Sequence, residues 1–410
     1  MKNEKANIFT LVVVFLPILS VYASGIPGFS FGDVCLFLVF IYYILNSRKN
    51  KLIIKKNNIV TELLIMVISI IVLTMIDIII LDYSNYFNII IRIIRKSFYY
   101  CTAALFAIKY FNYYDGEKLM IKVGLFATFY LFLQYLFFYT TGFVLKGFIP
   151  FLPLYHETYS LVDYSSIFTT MYRPTSILLE PAHISRYLCI PLIISLFDDR
   201  IKIKNRIIIS LLLSLAIFMT TSGTGIICVT VIWLVYFIKM IFKATSSGKL
   251  KIYSIFIIIF FIIFSLILLN SSFTQNALYR ISYIDLLNVN TAGGARFRGF
   301  VQYSKLPLIN KIFGVGYGNI ADGALNTWYS GASYMLYGCG IIGFVICLFV
   351  FFTIFKKLNN PVGKVLLLIW FILFFVDDSF MSHLSVLYFC FIVSSNHLFN
   401  KSILKKDLEV

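Results

Sequence analysis

The chain has 410 residues, of which 60% are hydrophobic and only 13% charged. A soluble globule of this size needs far more charge on its surface, so the composition excludes a soluble enzyme or binding domain and points to a polytopic membrane protein. The formal net charge of +17 does not point to nucleic acid, because the basic residues lie in short clusters between apolar runs and read as orientation signals.

Apolar windows of about 15–25 residues give the predicted spans. The first runs from about Ile8 to Ala23 and the second from Phe31 to Leu45. The N-terminus lacks a convincing small-x-small cleavage site, so the first run is read as a retained helix rather than a signal peptide. The linker Ser47–Asn58 carries Arg48, Lys49, Lys51, Lys55 and Lys56, a strong cytoplasmic signal. The third span is about Val60–Leu81, followed by a short outside loop, Asp82–Phe87, with one acid and no base. In the fourth, Asn88–Phe111, Arg92, Arg95 and Lys96 share one helical face through their i, i+3, i+4 spacing. Charge at that depth is expensive. Two readings fit: an interfacial amphipathic turn, or a cationic wall for an anionic lipid-linked substrate.

A loop with Asp115, Glu117 and Lys118 leads to a fifth span at about Leu119–Tyr139, and a long outer segment, 140–180, follows. The sixth span begins at Pro181 and ends near Phe197, before the basic stretch Asp198–Arg206. The run Ile207–Phe242 is too long for one span, and Thr220-Thr221-Ser222-Gly223-Thr224-Gly225 splits it into two with a tight outside turn. A ninth span at about Ile252–Leu269 precedes a second long outer loop, 270–330. Three more spans, at about Gly331–Ile354, Val365–Val376 and Leu384–Leu398, complete the chain. The predicted fold class is therefore an all-α polytopic membrane protein: a single integral membrane domain over 1–410 with about 12 transmembrane helices, cytoplasmic N- and C-termini and two long periplasmic or extracellular loops. No internal repeat is visible, which weighs against a secondary transporter.

The seven cysteines all fall inside apolar runs, so neither disulfides nor a thiolate metal site is expected. The four histidines are far apart in sequence, and Asp377 and Asp378 sit on a short loop where a pair of acids faces water, so no metal centre and no cofactor is expected. Gly314-Val315-Gly316-Tyr317-Gly318 has no preceding strand and is not read as a nucleotide loop. The stretch Arg173-Pro174-Thr175-Ser176…Glu180-Pro181-Ala182-His183-Ile184-Ser185-Arg186 concentrates chemistry. Pro181 suits the first position of a helix, which places Glu180 at the positive end of the helix dipole. His183, Arg186 and Tyr187 then share a face one turn further in. A bland alternative has Glu180 merely capping the helix and pairing with Arg173 or Arg186.

Arg173-Pro174-Thr175-Ser176 with Glu180-Pro181 resembles the arginine…glutamate-proline signature of bacterial O-antigen and capsule repeat-unit polymerases, the Wzy type. The Thr221-Ser222-Gly223-Thr224-Gly225 turn is similar to the Thr/Ser-rich turn of the polymerase and O-antigen ligase superfamily. The late loop with Arg296, Arg298 and Gly314–Asn319, and the small-residue run from Gly338 to Gly343, fit as well. Ligase-like relatives carry a His-Asn pair at the end of the large loop. Here Asn326-Thr327-Trp328 has no histidine, which favours the polymerase branch and leaves His383, in the last outer loop, as a substitute.

The resemblance implies a donor glycan on a polyprenyl diphosphate at the outer leaflet of the bacterial inner membrane. The partners it implies are that polyprenyl-diphosphate-linked oligosaccharide, membrane lipid and a chain-length regulator protein; no nucleic acid is involved. Arg173, Arg296 and Glu180 are the candidate catalytic residues. Arg298, Arg186, His183, Arg92, Arg95, Trp328 and His383 are candidates for binding the diphosphate or glycan. The two long loops are expected to meet over one cavity. The alternatives are an O-antigen ligase and a flippase or transporter of the same lipid-linked glycan.

Overall fold

The computed structural model describes residues 7–47, 58–81, 86–155, 172–199, 205–246, 299–319, 329–377 and 379–408. These residues are overwhelmingly helical and contain no strand, only two isolated bridges, Tyr22 with Leu154 and Ala23 with Ser30. The helices are α1 (Ile8–Leu19), α2 (Phe31–Ser47), α3 (Asn58–Leu81), α4 (Tyr86–Tyr110), α5 (Tyr113–Thr141), α6 (Pro181–Phe197), α7 (Arg206–Met219), α8 (Gly223–Ser246), the short α9 (Leu308–Phe313), α10 (Gly331–Lys357), α11 (Pro361–Val376) and α12 (His383–Leu408). Four stretches, Ile59–Ile79, Tyr113–Thr141, Gly223–Phe242 and Gly331–Lys357, are long and apolar enough to cross a membrane. The chain thus has the build of an all-helical membrane protein.

Local chemistry sets the helix ends. Asn7 caps α1 by accepting from Thr10 N at 2.9 Å, and Asn360 caps α11 just before Pro361, accepting from Val362 N at 3.1 Å. Several boundaries differ from the sequence reading, among them the end of α12, which runs to Leu408 rather than Leu398. Asp115, Glu117 and Lys118 belong to α5 rather than to a loop. Asn112 starts that helix, its carbonyl taking Gly116 N at 2.9 Å and its amide bonding the Asp115 carboxylate at 2.5 Å, and an acid in the first turn suits the helix dipole. Conversely, α1 stops at Leu19, short of Ala23. The next residues pair with a distant segment instead: Ala23 N donates to Pro153 O at 2.9 Å and Tyr155 N to Val21 O at 3.0 Å. The predicted ninth span, at about Ile252–Leu269, lies outside the described residues.

The chain divides into two compact units: Met1–Lys122, Phe148–Val162 and Gly294–Val410 form the first, Val123–Gly147 and Asp163–Gly293 the second. In the first unit α4 packs along α12 and α3 along α10. Its centre is aromatic: Tyr100 packs at a tilt against Phe380 and Phe389, and Trp370 lies 5.0 Å from Tyr388 by ring centroids. Asp377 is buried there rather than water-facing, its carboxylate accepting from Ser379 N at 3.1 Å and Ser379 Oγ at 2.8 Å; Asp378 lies outside the described residues. In the second unit α6 packs against α7 and α8. Past its first turns it is largely apolar, and nearly all of it is buried. Gly124 of α5 leaves room for Pro191, since a Cβ there would sit 2.9 Å from the proline ring.

Candidate functional site

In the second unit Glu180, His183, Arg186 and Tyr187 lie at the start of α6. Glu180 is extended, with φ −128° and ψ 143°, as the residue before a proline must be, and Pro181 occupies the first helical position. The Glu180 side chain does not close the cap. Its Oε2 lies 3.5 Å from His183 Nε2, with side-chain exposures of 14% and 39%. The positive end of the helix favours the carboxylate there. Arg186 and Tyr187 differ from His183: both are buried, and Arg186 Nε folds back to donate to Ala182 O at 3.0 Å. Arg186 therefore braces the first turns of α6, while His183 and Glu180 remain partly open.

Arg173 is placed by the turn that follows it, which is anchored twice. Ser176 is buried in the left-handed region at φ 53°. Its N–H donates to Gln134 Oε1 at 2.7 Å and its hydroxyl to Ala127 O at 2.6 Å, both on α5. From this anchor Arg173 Nε donates to Thr221 Oγ1 at 2.9 Å. Thr221 itself is a β-branched residue at φ 51°, a conformation that stores roughly 1–3 kcal/mol of strain. The turn that holds it is pinned from below, since Gly225 packs so tightly on Ser185 of α6 that a Cβ would come within 2.6 Å. Two contacts thus lie in this unit: a guanidinium held by a hydroxyl, Arg173 on Thr221, and a carboxylate–imidazole pair, Glu180 with His183, at a helix N-terminus. Such a set can hold anionic oxygens and orient a hydroxyl.

In the first unit, Arg92, Arg95 and Lys96 present one face of α4, as their spacing predicts, and each reaches a different partner. Arg92 donates to Gly318 O at 2.9 Å. Arg95 donates to Gly28 O and, at 2.8 Å, to Tyr155 Oη. Lys96 lies over the rings of Tyr317 and Tyr334, 5.7 and 4.9 Å from their centroids. His383 opens α12, its Nε2 standing 3.3 Å from both Asp33 Oδ1 and Ser30 Oγ. The Asp33 carboxylate also accepts from Ser30 N and Ser30 Oγ, each at 2.9 Å, and from the Tyr99 hydroxyl. Ser30 and Asp33 form a capping box for α2, and the spare lone pairs of Asp33 collect Tyr99 and His383. The Ser-x-x-Asp spacing was visible in the sequence, but its link to His383, 350 residues on, was not.

The glycine-rich loop Gly314–Asn319 is no anion cradle. Val315 N donates to Tyr337 O and Gly316 N to Gly338 O, both at 3.0 Å; Tyr317 N donates to Thr74 Oγ1 at 3.1 Å and Asn319 N to Gly316 O at 3.2 Å. The loop spends these amides on docking to α3 and α10. Arg296, Arg298 and Trp328 lie outside the described residues, and so does the closure of the late loop over a cavity.

No protein-family model matches this chain, and no curated protein matches it. The functional reading therefore stands on the residues themselves. Gln134, Ser30, Asp33, Tyr99 and Tyr155 are the structural partners that sequence inspection passed over. A polar residue in an apolar span, such as Gln134 in α5 or Asp77 in α3, is the signal that singles out residues of this kind.

Proposed function

We propose that this protein is an integral membrane glycosyltransferase of the bacterial cytoplasmic membrane, which polymerises polyprenyl-diphosphate-linked oligosaccharide repeats at the outer face. The observation that carries the reading is the partly open Glu180–His183 pair at the start of α6, with Arg173 held by Thr221 in the same unit. In this reading Arg173 holds the diphosphate oxygens, and Arg296 and Arg298 contribute from the late loop. Glu180, steadied by His183, orients the acceptor hydroxyl and takes its proton. The new glycosidic C–O bond forms as the bond to the diphosphate breaks, and the lipid diphosphate leaves with the electron pair. With so good a leaving group, positioning and charge stabilisation are most of the enzyme's task.

The test is a strain carrying Arg173→Ala. Polymer is expected to disappear while single-repeat product persists. Full-length polymer at normal protein level would overturn the assignment. A deletion strain separates polymerase from ligase: undecorated surface with polymer stranded on the carrier indicates ligase.

The break in α10 at Gly340 favours a second reading, transport of the same lipid-linked glycan, because discontinuous membrane helices are a feature of transporters. Purified protein that lengthens glycan in detergent, with no membrane and no gradient, excludes transport as the main activity.

A further inference from the structure

The turn between α1 and α2 and the segment 148–155 are built as one piece of the first unit. Ala23 N donates to Pro153 O at 2.9 Å, Tyr155 N to Val21 O at 3.0 Å and Ile149 N to Tyr22 Oη at 3.2 Å. Arg95 of α4 braces both parts. It donates to Gly28 O and, at 2.8 Å, to Tyr155 Oη, and Tyr155 in turn donates to Gly28 O at 3.0 Å.

This piece is unlike a loop made for bulk water. Neither 20–32 nor 148–155 contains a charged residue. Its exposed large side chains are apolar: Phe151 is 84% exposed and Ile26 54%, and Ile149 and Leu152 are exposed on either side of Phe151 in the chain. Its backbone is bonded largely to itself. Phe31 N donates to Tyr22 O at 2.8 Å, and Phe29 N to Ile26 O and Leu152 N to Ile149 O, both at 3.1 Å. Ile26 N donates to Ser24 Oγ at 3.1 Å, and that hydroxyl donates to Phe29 O at 2.7 Å. Pro27, Pro150 and Pro153 have no N–H to satisfy. Apolar side chains over an internally bonded, non-helical backbone suit a place where water is scarce.

We propose that the α1–α2 turn and 148–155 together form a lipid-docking surface: they rest in the headgroup region of the outer leaflet, with Ile26, Ile149, Phe151 and Leu152 set into the lipid. Two observations favour lipid over a protein partner. The apolar side leads into Phe31, the exposed first residue of α2, and on to the exposed Phe37 and Leu38, so it continues the surface that an apolar helix gives to lipid. A piece without charge, whose backbone bonds are closed, also offers a protein little to recognise, whereas lipid requires neither charge nor hydrogen bonds. The headgroup region is hydrated, so residue 151 stays within reach of water-soluble reagents from outside. The inference rests on the membrane reading of the chain and not on glycosyl transfer.

Tryptophan fluorescence of the full chain tests it, in nanodiscs of phosphatidylcholine that is either unmodified or brominated on the upper part of its acyl chains. Bromine quenches tryptophan only at close range. Phe151→Trp and Ile26→Trp are each read as the difference from the unsubstituted protein; both sites are exposed, so the fold tolerates the change. The added emission should be blue-shifted and should be mostly lost in brominated lipid, equally in low and high salt, because no charge takes part. Phe349→Trp, at a 65% exposed position of the stretch Gly331–Lys357, checks the membrane reading and should also be quenched. Red-shifted, unquenched emission at 151 or 26 beside a quenched 349 places the piece in water and overturns the proposal. Blue-shifted but unquenched emission shows a second copy or another protein over the piece, and overturns it too. Absence of quenching at all three positions removes the membrane reading, and the proposal falls with it.

Discussion

Thr221 shows how much one side chain carries at the start of α6. It holds the Arg173 guanidinium through its hydroxyl while its own backbone sits in the left-handed region. These two properties can be separated. Thr221→Val keeps the branched shape and the strain but removes the acceptor, so a charged donor loses a bond worth about 1.5–3 kcal/mol. Both melting temperature and polymer yield should fall. Thr221→Gly also removes the acceptor, but it relieves roughly 1–3 kcal/mol of backbone strain. Its melting temperature should stay near that of wild type while polymer yield still falls. Thermal unfolding in detergent, read beside the glycan ladder of each strain, checks the pair. Equal melting temperatures for the valine and glycine variants would show that the turn is not strained. Glu180 offers a matching contrast. Glu180→Gln keeps the size and the hydrogen-bonding capacity next to His183 but cannot accept a proton. Loss of polymer with an unchanged melting temperature is the result that a proton-accepting role requires.

At the scale of elements, the apolar periods and turn residues show where helices start and stop better than they show what the ends touch. Pro181 and the Thr220–Gly225 turn mark boundaries that the structure places within a few residues of the sequence reading. Asn112 and the pairing of 21–23 with 153–155 were not legible, because their partners are either polar groups beside a helix or distant backbone. The interruption of α10 was equally hidden. Gly338, Gly340 and Gly343 read as a small-residue run, and only contact with Ile312 and Gly314 turns it into a break. Gly340→Ala therefore has to fail. Its φ is unfavourable for any side chain, and the added Cβ would lie 2.2 Å from the Ile312 carbonyl. Gly225→Ala meets the softer Ser185 side chain at 2.6 Å, so the turn shifts and the cost is about 1–3 kcal/mol. Lower yield of folded protein for the first than for the second, by fluorescence-detected size exclusion, is the expected order.

For the whole molecule, the candidate residues divide between two units: Arg92, Arg95 and His383 belong to the first and Arg173, Glu180, His183 and Arg186 to the second. Sequence order alone showed none of this, since the first unit is assembled from three separated segments and closes through contacts such as Asp33 with His383. The direction of insertion, in contrast, rests on charge that is plain in the sequence. The lysines at 401, 405 and 406 follow the last apolar run, and the segment 148–155 holds no charge at all. Carrying a lysine cluster across the membrane is disfavoured, so α12 should end in the cytoplasm and 148–155 should face outward. Two exposed positions make this measurable: Phe151, 84% exposed, and Ser402, on the open face of α12. In intact cells a membrane-impermeant maleimide should label Phe151→Cys and leave Ser402→Cys untouched until the membrane is permeabilised. Labelling of Ser402→Cys in intact cells would reverse the orientation. By the alternation of spans predicted from the sequence, it would also put Glu180 on the cytoplasmic side, where a polymerase of outer-leaflet glycans has no substrate.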